Sequence, residues 1–232
     1  MTDFLTSSAF FGVTVSLLTY FLGTFLKKRF KLGIFNPLLL SILFTIGILL
    51  LCRVDYKSYY EGAKYLSYLL TPATICLAIP LYEQFEALRK NAVAILCGIV
   101  SGVITSLLCI FLLALLFGFS HAEYVTFLPK SITTAIGMDV SKELGGSVSV
   151  TVIVIVITGV LGNVIAEGVL RLFRIKEPAA RGAAIGTAAH AIGTARAMEL
   201  GPVEGAISSL SIIIAGLLTV IGASLFSYFI PA

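Results

Sequence analysis

The sequence predicts an all-α polytopic membrane protein, and three observations carry that prediction. Of 232 residues, 58% are hydrophobic and only 12% are charged, against roughly 25% charged in soluble domains. The apolar residues gather in uncharged runs of helical-span length, not in the roughly 10-residue alternation of an outer-membrane barrel. Two further apolar runs are too short to span and are rich in Gly, Ala, Ser and Thr. With a mean hydropathy of +1.04, a soluble enzyme, a disordered chain and a disulfide-stapled secreted scaffold are all excluded.

Six runs are long enough to cross ~30 Å of hydrocarbon. They are Ser8–Leu26, Leu32–Cys52, Tyr65–Tyr82, Asn91–Ser120, Leu144–Ala166 and Gly205–Ala232. Asp3 stands where a signal peptide would carry a basic n-region, so the first run reads as a retained span. Asn36-Pro37 opens the second run as a helix start. Pro72 and Pro80 kink the third. Cys52, Cys76, Cys97 and Cys109 lie in or beside these runs without CxxC spacing and read as small membrane hydrophobes.

The two short runs are Phe127–Met138, interrupted by Lys130, and Gly182–Ala195, followed by Arg196. Charge bias decides how they sit. If both are re-entrant and the N-terminus is outside, ten Lys and Arg lie inside: Lys27, Lys28, Arg29, Lys31, Arg89, Lys90, Arg171, Arg174, Lys176 and Arg181. Four lie outside: Arg53, Lys57, Lys64 and Lys142. Full crossings would give near equality, so the positive-inside rule favours six spans plus two re-entrant segments, with both termini outside.

An internal repeat runs through the C-terminal half. Residues 135–145 match residues 191–201 at an offset of 56, with six identities in eleven positions. A long apolar span follows each copy. In this topology the two copies enter from opposite faces, an inverted-topology repeat of the kind secondary transporters use. The expected organisation is therefore a four-span region over 1–120, a candidate scaffold for a homodimer, and a repeat region over 121–232.

Non-helical backbone at membrane depth survives only when buried in protein or lining a cavity. Two half-helix N-termini near the midplane would present free N–H groups to an anion such as a carboxylate. The candidate substrate-binding residues are Lys130, Ser131, Thr133, Thr134, His190, Gly193, Thr194 and Arg196. His190, Asp139 and Glu199 are candidates for proton coupling. Each has a plainer reading as well. Lys130 can snorkel to the interface, Arg196 can pair with Glu199 or Glu204, His190 can be a satisfied core histidine, and Asp139 and Glu199 can be solvated. Enzyme motifs are absent from the sequence: no GxSxG, HExxH or GxxxxGK[ST]. His121 and His190 alone do not make a metal site. The expectation is a non-enzyme without metal or cofactor, and no nucleic-acid partner is needed to explain the net charge of +4.

The polar segments also carry a resemblance. Pro129-Lys130-Ser131-Ile132-Thr133-Thr134, with Ile136, and the run from Gly186 to Arg196 resemble the LrgB/CidB family. Asn36-Pro37-Leu38, Pro72-Ala73-Thr74 and 78–82 are similar to its earlier motifs. The sequence departs from the family at Ala135, where Pro is usual, at Ala189, where Ser is usual, and at Asn163 and Glu167. The resemblance implies a multi-pass protein of the bacterial cytoplasmic membrane. It implies two functions: a carrier of small monocarboxylates, as in the plant plastid glycolate/glycerate relative and in links of bacterial members to pyruvate or acetate, or a holin- or antiholin-like regulator of murein hydrolase activity acting with a small LrgA/CidA-type partner. The half-helices and the repeat favour transport, because a non-selective lesion needs neither.

Overall fold

The computed structural model describes residues 10–30, 36–76 and 78–230. Ser8, Lys31, Leu32 and Ala232, which the expected spans and charge clusters include, and both chain termini lie outside these residues. Among the described residues every element is helical, apart from turns. Two compact units divide between Cys76 and Leu77.

The first unit holds α1 (Phe11–Phe30), α2 (Pro37–Leu51), α3 (Tyr56–Ser67) and α4 (Leu70–Cys76). Asn36 starts α2: its side chain accepts from the backbone N–H groups of Leu38 and Leu39, and Pro37 takes the first helical position, where no N–H is needed. A stripe of small residues on α1 lets backbones approach closely. A Cβ at Gly23 would lie 2.7 Å from Pro37 O, and one at Gly12 would lie 2.3 Å from Tyr59 O. Between them Thr19 Oγ1 sits 3.0 Å from both Ser41 Oγ and Thr45 Oγ1.

The expected third span, Tyr65–Tyr82, is not one helix. Its residues are shared among α3, α4 and α5 (Ala78–Glu83), and α6 (Phe85–Lys90) follows. Tyr68 and Leu69 form a turn between α3 and α4, and Pro72 falls in the first turn of α4, where a missing N–H does no harm. Pro80 lies in α5, three residues beyond Leu77, which is outside the described residues. Pro72 thus follows a new helix start instead of kinking a continuous span. The tyrosine-rich α3 is amphipathic, with Asp55 as its N-cap.

The second unit also contains α7 (Ala92–Phe117), α8 (His121–Phe127), α9 (Thr134–Glu143), α10 (Val148–Leu172), α11 (Pro178–Leu200) and α12 (Pro202–Phe226). Among the described residues, three helices are long and apolar enough to cross a membrane: α7, α10 and α12 with its short C-terminal extension. Their outward faces remain apolar and exposed, as Leu112, Ile153 and Leu217 illustrate. Their inward faces form the core. On α7 the buried residues Ile95, Ile99, Val103, Leu107, Ile110 and Ala114 recur every three or four positions and meet Tyr124, Leu128 and Ile207. The chain is thus a polytopic helical membrane protein. The helix α7, which an organisation divided at residue 120 groups with the N-terminal spans, packs against α11 and α12 within this second unit.

The short polar segments are helical hairpins. Hairpin 1 is α8, a turn over 128–133, and α9. His121, at its start, places Nε2 3.3 Å from Leu144 O, just beyond its end, so both ends lie at the same level. Hairpin 2 lies within α11, whose helical path breaks at Ala189 (φ −129°, ψ 15°) and His190 (φ 42°, ψ −140°). Its two arms also begin and end together: Arg181 Nη1 donates to Glu204 Oε1 at 3.1 Å, and a Cβ at Gly201 would lie 2.5 Å from Glu204 Oε2.

The hairpins enter from opposite faces. The base of hairpin 1 meets the start of α10, where Ser147 N donates to Thr126 Oγ1 at 2.8 Å, and the end of α12, where Tyr124 Oη donates to Phe226 O at 3.0 Å. The base of hairpin 2 meets the start of α12 at Glu204 and the end of α10 through an Arg196–Glu167 pair. The offset of 56 places Thr134, the first residue of α9, on His190 at the break of hairpin 2. Two copies of hairpin plus span, inverted in the membrane, make up this half.

Candidate functional site

Hairpin 1 is shaped by its caps. Ser120 and Glu123 form a reciprocal capping box. The side-chain and backbone hydrogen bonds from Ser120 hold the Glu123 carboxyl below its ordinary range. At the tip Lys130 Nζ donates to Ser131 Oγ at 2.9 Å, and Ser131 Oγ lies 3.4 Å from Ser106 Oγ on α7. No carboxylate pairs with Lys130 among the described residues. Thr133 is the N-cap of α9 in extended geometry, and its side chain makes no capping bond. Thr133 and Thr134 are half-buried, and Asp139 is exposed.

Hairpin 2 is fastened to the spans on both sides. His190 is buried and donates Nε2–H to Ile155 O on α10 at 3.1 Å. Thr194 Oγ1 donates to His190 O at 3.0 Å and lies 2.7 Å from Ser208 Oγ on α12. Gly193 is buried, and a Cβ there would stand 2.6 Å from that of Ala189. The inbound arm lies on α12 through Gly182 and Gly186, whose added Cβ atoms would come within 2.5 Å of Glu204 O and 2.4 Å of Ser208 O. Arg196, nearer the base, is held by both Glu167 and Glu199.

A cavity of about 440 Å³ lies between the hairpin 1 tip, α7 and the inbound arm of hairpin 2, with Thr105, Ser106, Lys130, Ser131 and Thr187 among its lining. Thr187 Oγ1 is buried and has no hydrogen-bond partner among the described residues. A buried hydroxyl left in that state costs about 1–3 kcal/mol. A second cavity of about 240 Å³ shares Gly98, Ala183 and Ala184 with the first and runs on to Asn91 and Glu177 at the base of hairpin 2. Beside that base, a third of about 390 Å³ is lined by Arg171, Arg174, Lys176 and Arg181 together with Glu167.

The structure therefore sorts the eight candidate residues into groups. Lys130 and Ser131 share the cavity against α7. His190, Gly193 and Thr194 are packed into the hairpin 2 tip. Thr133 and Thr134 begin α9. Arg196 sits between two carboxylates. None of the described cavities takes in all eight.

Residues 16–229 match the LrgB-like family. The chain belongs to the LrgB-like family. It is 37% identical over 226 residues to the antiholin-like protein LrgB of Bacillus cereus, covering 97% of this chain and 98% of that relative. It is 34% identical over 207 residues to the holin-like protein CidB of Staphylococcus epidermidis, covering 89% of this chain and 90% of that one. No solved structure matches. Fold and relatives together make this a membrane protein of bacterial type.

Two departures from the LrgB/CidB pattern acquire partners in the fold. Asn163 Nδ2 donates to Ile192 O at 2.7 Å, beside the break. Glu167 pairs with Arg196. Reading the sequence counts Thr187 among the hydroxyls of the short segments but not among the substrate-binding residues, and leaves Ser106 out. The signal for Ser106 is visible as the polar pair Thr105-Ser106 inside an apolar span. Thr187 is marked by its hydroxyl and by its place in the Gly186–Arg196 motif, but only folding lays the inbound arm against α7.

Proposed function

We propose that this protein is a secondary carrier of small monocarboxylates, of the glycolate, glycerate, pyruvate or acetate kind, working by alternating access and without enzymatic chemistry. The observation that supports this most is the pair of helical hairpins inserted from opposite faces. Such hairpins let a central site communicate with one face at a time. The cavities that share Gly98, Ala183 and Ala184 supply a small-residue path from the base of hairpin 2 towards Lys130. In this reading the protein is a homodimer in the cytoplasmic membrane, with both termini outside and the base of hairpin 2 inside.

The names of the relatives favour a second reading, a holin- or antiholin-like regulator, which by the family resemblance would act through a small LrgA/CidA-type membrane partner. Proteoliposomes separate the two. A carrier takes up labelled glycolate or pyruvate saturably, and a trans gradient of the same acid accelerates uptake. Non-saturating leakage of glucose and carboxylates alike sinks the carrier reading and leaves the holin-like one.

A further inference from the structure

We infer that the cavity between hairpin 1, α7 and hairpin 2 is an anion site in which Lys130 and Thr187 together hold one carboxylate; its role in transport rests on the carrier reading. Two polar groups there lack what their setting requires. Lys130 carries a charge at hairpin depth and, among the described residues, has only a neutral hydroxyl, Ser131 Oγ, as its hydrogen-bond acceptor. A cation so placed normally has a counter-charge. Thr187, only 8% exposed, has a hydroxyl without a partner among the described residues. One ligand answers both: a carboxylate is acceptor-only and offers two oxygens, one for the ammonium and one for the hydroxyl. A cation would be repelled by Lys130, and a neutral ligand would leave its charge uncompensated.

The surroundings suit this ligand. Lys130 belongs to the tip of hairpin 1, and Thr187 lies two residues before the break of hairpin 2, so a carboxylate between them bridges the two inverted elements. Gly102 on α7 keeps Thr187 in place, since a Cβ there would stand 2.9 Å from Thr187 Cγ2. This places the anion against α7, away from the His190–Thr194 cluster.

The test uses the full chain with its four native cysteines replaced and Thr187→Cys as reporter. Alkylation by iodoacetate, itself a small monocarboxylate, is compared with alkylation by neutral iodoacetamide. The ratio of the two rates cancels changes in thiol reactivity. Lys130→Gln is expected to lower that ratio at least about fivefold, since even a fully water-screened unit charge at short range is worth about that much, while Lys130→Arg retains most of it. Acetate is expected to protect the thiol only when Lys130 is present. Ser106→Cys serves as the reporter if Thr187→Cys does not fold. A ratio unmoved by Lys130→Gln, a ratio that Lys130→Arg lowers equally, or no protection by acetate each overturns the site. Loss of uptake with the ratio intact counts against the carrier reading alone, and saturable uptake with the ratio unmoved by Lys130→Gln counts against the site alone.

Discussion

His190 hydrogen-bonds through Nε2 to Ile155 O, 35 residues away on α10, at 3.1 Å. The bond fixes the neutral ring as the Nε2–H tautomer. Its backbone sits at φ 42°, a conformation that costs a non-glycine residue on the order of 1–3 kcal/mol. The side chain is thus part of what holds the break, and Ile155 is also where hairpin 1 arrives: a Cβ at Gly137 would lie 2.4 Å from Ile155 Cδ1. One residue of α10 thereby touches both hairpins.

That contact requires Gly159, where a Cβ would stand 2.7 Å from His190 Cε1. Gly159→Ala is expected to destabilise the protein by about 1–3 kcal/mol through overpacking against a ring that cannot retreat. His190→Ala is expected to relieve the clash in the double variant, so that the two losses are not additive. Thermal unfolding in detergent, followed by size-exclusion chromatography, reads both. Additive losses would show that His190 and Gly159 do not meet.

Glycines on spans divide sharply by what lies above them. Gly186→Ala pushes a methyl to 2.4 Å from the backbone oxygen of Ser208, which has no freedom to move aside. Its expected cost is about 2 kcal/mol or more. Gly168 on α10 has nothing within 4 Å, and Gly168→Ala is expected to be neutral or to stabilise by up to about 1 kcal/mol from helix propensity. The same melting measurement ranks them, and equal effects would contradict the close packing of hairpin 2 on α12.

Arg196 joins hairpin 2 to α10 through Glu167 while also engaging Glu199 on its own arm. Arg196→Lys keeps the charge but loses the planar fork that serves two carboxylates at once. Uptake is expected to fall strongly with little change in expression. A double-mutant cycle of Arg196→Gln with Glu167→Gln is expected to give a coupling of about 0.5–1 kcal/mol for this partly exposed pair. Zero coupling, with uptake unchanged by Arg196→Lys, would reduce the pair to a surface ornament.

The orientation of the hairpins is open to labelling. Arg171, Arg174, Lys176 and Arg181 cluster at the base of hairpin 2, and basic residues stay on the cytoplasmic side. In a background without native cysteines, Lys176→Cys is expected to react with an impermeant maleimide only after the membrane is opened, whereas Ser147→Cys reacts from outside in intact cells. Rapid external labelling at position 176 reverses the topology.

Composition alone determined that this chain lives in a membrane, because so few charges cannot cover a soluble surface. Run lengths then located α7, α10 and α12, and the offset of 56 located both hairpins, since short polar segments must turn back or find a cavity. Local signals were equally legible where one residue does the work, as Asn36-Pro37 does at the start of α2. The tertiary structure decided what depends on neighbours. Pro72 reads as a kink, yet it falls in the first turn of a new helix that starts after the turn at Tyr68 and Leu69, where a proline sacrifices no hydrogen bond. Arg196 and His190 read as free for a ligand or as satisfied, and packing supplied Glu167, Glu199 and Ile155 as their partners. Thr187 is one hydroxyl among several on a small-residue helix. Only the laying of that helix against Gly102 and the hairpin 1 tip leaves it buried, without a partner, beside the cavity that Lys130 shares, for a hydrogen bond is satisfied or wanting according to atoms that are distant in sequence and close in space.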